Sequence, residues 1–410
     1  MDLSTVKQLK GVLYRTVVTG VCLLSLSCGA EAAESIRVLL AADVPRLDIR
    51  ANGSLWVTDA KGRDQVLRAP VQVVAADGAG FLLKGLRIQT EQLTLHGGEQ
   101  GLVLTFPRLA RKTNGVTMST GDSSTEISLS GLVQLVRRGK GFLVINRVDL
   151  EEYVKGVVPA EVNSTWHQEM LKAQAVAART YALYQKMLSS TREYDVAATV
   201  QDQVYRGKQG IDGGILRAVE ETRGLVVTYQ NAPIYAAFSS TAAGLTEDAM
   251  NVWSKEYPYL KGVECPFDLA SPYYQWKSSF KIDTLEESLR QQGFSVGTIA
   301  TITPLSFSRG GRVATLRVAH SGGELVLRGE ELRKAVGYTI IPSTQFAIEF
   351  IGQDLVLSGF GAGHAVGMCQ WGAKELAELG YSFSTILQYY YPGTELQSLT
   401  QVRPPIPPSS

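Results

Sequence analysis

The stretch "TWHQEMLKAQAVAARTYALYQKML" (165–188) constrains this chain more than any other part of it. Alanine and unbranched side chains are the best helix formers, and no glycine or proline interrupts the run, so it predicts one long helix. Thr165 and Gln168 have the spacing of a capping box at its start. Leu171, Ala175, Ala178 and Ala182 recur on one face. Side chains this small let another backbone lie close, which suits a site built against the helix.

Ahead of that helix the pattern is different. From Ser35 to about Gly141 the chain runs in short alternating or apolar segments such as "IRVLLA", "VQVVAADGAG" and "LVLTF", split by Asp-Gly and Gly-Gly turns. These predict small strands and hairpins. "LVQLVRRGKGFLVINRVDL" reads as one hairpin with Arg138 and Lys140 at its tip, a basic turn of the kind normally solvated. Beyond the helix, strand-like segments alternate with helical ones, and neither a phosphate-binding glycine loop nor a repeat occurs. The expected class is α+β: a β-rich N-terminal domain (35–140), a mixed core (141–395) containing the long helix, and a Pro-rich tail (396–410).

The first residues carry Lys7, Lys10 and Arg15, then the apolar "TVVTGVCLLSLS", then Ala30-Glu31-Ala32, an A-x-A cleavage pattern. This predicts a signal peptide over 1–32 and an exported protein of the periplasm or cell envelope. The apolar run is about a dozen residues, short of the roughly 20 that a membrane span needs, so no transmembrane span is expected in the mature chain. Cys28 after "LSLS" also admits a lipid anchor, although Ser25 stands where a lipobox has leucine. Forty basic against thirty-nine acidic side chains leave no global field to attract nucleic acid, and no nucleic-acid partner is expected. After cleavage only Cys265 and Cys369 remain, either bridged or as two separate buried thiols.

Two segments go beyond composition. "YVKGVVPAEVNSTWHQEMLKAQAVAARTYAL" (153–183) and "GHAVGMCQWGAKELAELGYSFSTILQYYYPGT" (363–394) resemble the two signatures of the stage II sporulation protein D and amidase-enhancer family. "QDQVYRG" (201–207), "NVWSKEYPYL" (251–260) and "SPYYQW" (271–276) stand between them in that family's order. The resemblance implies action on peptidoglycan glycan strands. Catalytic members are lytic transglycosylases that cut the β-1,4 bond after N-acetylmuramic acid, prefer strands stripped of stem peptides, and leave a 1,6-anhydro end. Other members are described as enhancers of a cell-wall amidase, which would then be a partner.

Glu161 aligns with the glutamate assigned as catalytic in the first group. A glycosidase ordinarily needs two carboxylates. A lytic transglycosylase needs one: the acid protonates the leaving oxygen, then as a carboxylate takes the proton of the sugar's own C6 hydroxyl as that group closes on the anomeric carbon. Such an acid needs a raised pKa, which Val158, Val162 and Trp166 around it would supply through desolvation. On pattern alone, Glu161 also reads as an acid placed near a helix start to complement its dipole. Glu151, Glu152 and Glu169 read as exposed acids.

The resemblance further implies substrate contacts from Lys172 and Gln174 on the long helix, Gln203 and Tyr205 in "QDQVYRG", Tyr274 and Trp276 in "SPYYQW", and His364 and Gln370 in the C-terminal signature. Read as residues alone, Lys172 and Arg179 fit a solvated face or a buried hydrogen bond, Tyr205 fits core, and His364 divides between lining a cleft and fixing its loop. The chain departs from the family's usual wording in places. Ala365 stands for glycine, Cys369 for serine, Trp371 for tyrosine, and Ala243 for the first glycine of a Gly-Gly pair. Histidines at 96, 167, 320 and 364 form no ligand spacing, and no metal or cofactor is expected. Two rival readings are a non-catalytic glycan binder or amidase enhancer, and a hydrolase in which Asp202 or Glu247 joins Glu161.

Overall fold

A computed structural model describes residues 34–78, 80–107 and 125–405. The expected signal peptide, Cys28 and the last five residues lie outside them. Among the described residues the class is α+β, with strands crowded into the first part of the chain.

Residues 35–149 form two antiparallel-rich sheets that share a core. In the first, Ser35–Val44 pairs with Gly141–Asp149, which pairs with Leu132–Arg138 in the predicted hairpin. The sheet continues through 92–96, 54–59 and 64–68 and takes a short parallel strand, 196–197, on its other edge. The second sheet runs 125–129, 102–106, 46–50, 71–75, 81–83, 86–88. Alternate residues such as Val38, Leu40, Leu47, Ile49, Leu104 and Leu135 are fully buried in one cluster, as period-two patterning requires.

Eight helices occur among the described residues: α1 (Leu150–Glu161), α2 (Gln168–Leu188), α3 (Gly213–Glu221), α4 (Ala249–Trp253), α5 (Ile282–Gln291), α6 (Gly329–Val336), α7 (Gln370–Glu378) and α8 (Phe383–Tyr390). The long predicted helix is α2, but its cap is His167, whose Nδ1 accepts the Glu169 N–H at 3.3 Å. Thr165 is instead held by the Asn163 side chain, so the capping box does not form. Ala173, Ala175, Val176, Ala177 and Ala178 are all fully buried. A helix that is apolar on nearly every side belongs at the centre of a fold. Here α1, α3, α7, α8 and the strand Leu225–Tyr229 all pack on α2.

Composition alone does not mark α1, since Gly156 and Pro159 are poor helix formers. The helix is started by Asp149, whose carboxylate accepts the N–H groups of Glu151 and Glu152 at 2.9 and 3.1 Å. Leu150, Tyr153, Val154, Val157 and Val158 then bury one stripe. Pro159 removes only one intrahelical bond, two residues before the helix ends.

Residues 275–360 fold as a separate lobe within the second half. Two three-stranded sheets (275–281, 354–360, 345–351 and 299–307, 313–320, 323–328) carry α5 and α6, and they enclose their own core around Leu285, Leu289, Leu316, Val318, Leu332 and Leu357. The chain then returns to the main body, where 368–369 pairs with 238–239 and 395–398 pairs with 225–229. Part of the expected tail is therefore ordered: Gln397 and Leu396 lie in that sheet, and the Arg403 guanidinium donates to the Gln230 carbonyl at 3.0 Å.

Candidate active site

Glu161 is the last residue of α1, and the helix closes with the Val162 N–H on the Val158 carbonyl at 3.0 Å. The dipole-complement reading, which needs a helix start, is thereby removed: a carboxylate at a helix C-terminus faces the negative end. Three groups from distant parts of the chain meet it. The Val204 N–H donates to Glu161 Oε1 at 2.7 Å. The Gln370 side chain, at the first position of α7, and the Arg206 charge both lie near enough to favour the ionised carboxyl. Burial outweighs these and pushes the Glu161 pKa up from its ordinary 4.5 to about 7, while the Val204 hydrogen bond, Gln370 and then Arg206 pull it down.

The segment bearing Val204 reaches α1 because two glycines allow it. A Cβ on Gly156 would collide with the Gly207 carbonyl and stand 2.6 Å from the Tyr205 ring, and Gly207 itself has φ +59°. Behind Val204, Gln203 is buried and accepts the Tyr153 hydroxyl at 3.0 Å. Gln370 Nε2 donates to Gln174 Oε1 at 3.3 Å. The amide nitrogens of Gln174 and Gln203 are buried without an acceptor among the described residues. Flanking these, the half-buried rings of Trp166 and Trp371 meet edge to face with centroids 5.1 Å apart.

Of the residues expected to bind substrate, the structure thus joins Gln174, Gln203 and Gln370 to Glu161. The others have different surroundings. Lys172 pairs with Glu169 at 2.9 Å and Glu221 at 2.7 Å and lies over the Phe383 ring. Tyr205 is a core residue: it is 2% exposed, stacks near Tyr153, and donates its hydroxyl to Asn146 Oδ1 at 2.9 Å. Tyr274 packs edge-on to Phe360, and Trp276 packs on Phe346 in the separate lobe, so neither ring has a hydrogen bond or ring contact with the Glu161 group. His364 fixes its loop: Nδ1 accepts the Val366 N–H at 3.0 Å, and Trp253 packs on the ring. Burial first, then the Arg333 charge, holds His364 well below its ordinary pKa, so it is neutral.

Glu151 corrects another expectation. It is buried rather than exposed, accepting both the Nε and Nη2 of fully buried Arg179 at 2.8 and 2.6 Å and the Gly224 N–H at 3.0 Å. This pair ties α1 to α2 behind the site. Trp371 was noticed in the sequence only as a departure from the family; its partner Trp166, five residues beyond Glu161, was the signal that a ring pair flanks the acid.

The rival carboxylates are committed elsewhere. Asp202 accepts Tyr181, Gln185 and the Ala197 N–H. Glu247 accepts Ser308, Asn251 and the Asp248 N–H and pairs with Arg312 at 3.8 Å. Among the described residues no helix is long and apolar enough to cross a membrane.

Comparison with known proteins agrees with this arrangement of motifs. Residues 138–229, which hold Glu161, α2 and Val204, match the family described as Stage II sporulation protein. Residues 266–367, covering the separate lobe, match a domain of unknown function (DUF8618). The chain is 35% identical over 270 residues to stage II sporulation protein D of Bacillus subtilis (strain 168), covering 62% of this chain and 75% of that protein. It is 34% identical over 290 residues to the amidase enhancer of the same organism, covering 60% of this chain and 40% of that protein. An uncharacterized protein of Brachyspira hyodysenteriae (strain ATCC 49526 / WA1) is 30% identical over 291 residues, 70% of this chain and 78% of that protein.

Proposed function

The chain belongs to the stage II sporulation protein D family, and from that premise we propose that it is an exported lytic transglycosylase of peptidoglycan with Glu161 as its single acid and base. The observation that carries this reading is the Glu161 environment: a half-buried glutamic acid whose pKa of about 7 leaves a substantial protonated fraction at neutral pH. Protonated Glu161 donates to the glycosidic oxygen between N-acetylmuramic acid and N-acetylglucosamine, and the bond to the anomeric carbon breaks. The resulting carboxylate takes the C6 hydroxyl proton as O6 attacks that carbon, forming the 1,6-anhydro ring with no water consumed. The Val204 N–H and the Gln370 amide steady the carboxylate in the second half of the cycle. Trp166 and Trp371 offer ring faces or edges to sugar rings, and fully buried Gln174 holds the Gln370 amide from behind through its Oε1.

Commitment of Asp202 and Glu247 to other partners favours a one-carboxylate reaction over a two-carboxylate hydrolase. The relative named amidase enhancer keeps a second reading in play, in which the same face holds glycan and assists a cell-wall amidase. Mass spectrometry of soluble products from stem-peptide-free glycan strands separates them. Anhydro-muramyl products from the native protein and none from Glu161→Gln support the transglycosylase; binding without products from either protein supports the second reading.

A further inference from the structure

Away from Glu161, the structure gathers a second group of chemically active side chains. Cys265 comes just before the separate lobe and Cys369 just after it, and each lies in a two-residue strand, paired with Gly244 and Ser239 respectively. Both are buried, as is Asp268. The two sulfurs and an Asp268 oxygen all lie within 4.8 Å of one another.

The surroundings are those of a charged cluster rather than of two idle thiols. The N–H groups of Ala242 and Gly372 point at Cys369 Sγ at 3.3 and 3.4 Å. Paired backbone donors on one sulfur are the outer-shell arrangement that stabilises a metal-bound thiolate. Asp268 Oδ2 accepts the N–H groups of Ala242 and Ala243 at 2.7 and 2.8 Å and lies 3.3 Å from Cys369 Sγ. Its other oxygen, Oδ1, is buried with no donor among the described residues. A buried carboxylate oxygen left without a partner costs stability unless something positive completes it. The Tyr390 hydroxyl is 3.3 Å from Cys265 Sγ, and the Ser240 carbonyl is 3.6 Å from Cys369 Sγ, so a fourth oxygen is at hand. Gly372 makes room: a Cβ there would stand 2.6 Å from Cys265 Sγ.

We propose that Cys265, Cys369 and Asp268 bind one divalent cation of the zinc class, with an oxygen of Tyr390 or Ser240 as fourth ligand. Two sulfurs and two oxygens suit a closed tetrahedral site, and metal–sulfur bonds of about 2.3 Å need only small movements of these side chains. Charge balances: the cation replaces two thiol protons, which leave to solvent, and the buried group keeps its net charge. The ion joins the segments on either side of the lobe and fixes the turn from which Gln370 reaches Glu161. Spacing along the chain does not mark this set, because its ligands stand at 265, 268 and 369 and meet only in the fold. Serine is usual at 369 in the family, so this is a feature of this chain.

The test uses the mature chain, purified without chelator, given zinc and dialysed against metal-free buffer, with metal read by plasma mass spectrometry. The expected result is about one zinc per chain, with Cys265→Ser and Cys369→Ser both losing it. Cobalt substitution adds a readout that needs no variant: thiolate-to-cobalt absorption in the near ultraviolet. Because serine is the family's usual residue there, Cys369→Ser is expected to fold, and its circular dichroism checks this. A native protein that takes up no zinc overturns the proposal. So does an intact, unreduced protein that has the mass of a disulfide and no titratable thiol after unfolding.

Discussion

Gln370, which opens α7, donates its amide to Gln174 Oε1 at 3.3 Å and stands close enough to the carboxyl of Glu161, which closes α1, to lower that acid's pKa. The two signatures of the family therefore meet beside the acid, where the Trp166 and Trp371 rings also touch, and the amide favours the ionised form of the acid. Gln370→Leu removes that donor, so the Glu161 pKa rises above about 7 and the alkaline limb of the rate–pH profile moves to higher pH, while kcat falls because the carboxylate formed in the first half-reaction is less well held. A profile whose alkaline limb stays in place would show that the amide does not act on the acid.

Glu161 also makes stability depend on pH. Its folded pKa of about 7 lies above the ordinary 4.5, so folding favours the protonated form. That contribution is complete below about pH 4.5 and is lost as pH rises through 7. Glu161→Gln mimics the protonated acid, so it gains on the native protein by up to about 3 kcal/mol above pH 8 and loses the advantage near pH 4. Urea unfolding of both proteins at the two pH values measures the difference, and equal gains at both would exclude the raised pKa.

The buried Glu151–Arg179 pair behaves differently from a surface ion pair. Glu151→Gln leaves the fully buried Arg179 without its charge partner, at a cost of about 3–5 kcal/mol. Replacing both by apolar residues of similar volume, Glu151→Leu with Arg179→Met, costs much less than that single change. A double-mutant comparison of melting temperatures decides between this and a pair that contributes nothing.

Two of the chain's departures from its family coincide with backbone geometry. Ala243 has φ +55° and Ala365 has φ +61°, at the two positions where the family resemblance implies glycine. A side chain in that region is strained by about 1–2 kcal/mol, partly offset by the smaller entropy of the unfolded alanine chain. Ala365→Gly is thus expected to stabilise the protein by about 0.5 kcal/mol or more, read as a higher urea midpoint at constant slope. A lower midpoint would show that the alanine methyl packs well enough to outweigh the strain.

The two-carboxylate alternative has its own check. Asp202→Asn keeps the side-chain shape that meets Tyr181, Gln185 and Ala197, so anhydro products should persist. Their complete loss with the fold intact would make Asp202 a second catalytic acid.

What could be read from the sequence was local or periodic. Alanine content marks α2, alternation marks the front strands, and the ordered motifs bring Glu161, Gln174, Gln203 and Gln370 to notice. What escaped reading depends on partners far apart in the chain. Glu151 is an ordinary exposed-looking acid until Arg179 and Gly224 are brought to it. Helix α1 was hidden because Gly156 and Pro159 are poor helix formers, and tertiary burial of Val154, Val157 and Val158 overrides that preference. Tyr205 reads as core from its residue type and is core, whereas nothing in the motifs separates Trp276, which packs against the lobe's own core, from Trp166 and Trp371, which meet beside the acid.

The separate lobe leaves and re-enters the main body at neighbouring points. Gln275 pairs with Phe360 at its base, and Thr241 bridges Ala362 just outside it. A segment whose ends already touch adds little to the closure entropy of the chain around it. In topology such a lobe is an insertion, and Ser308 and Arg312 dock it on Glu247, Leu245 and Ala242. Tyr274 and Gly361, whose backbones are hydrogen-bonded at 3.1 Å, are thus the two points at which the main chain could be closed over the inserted segment.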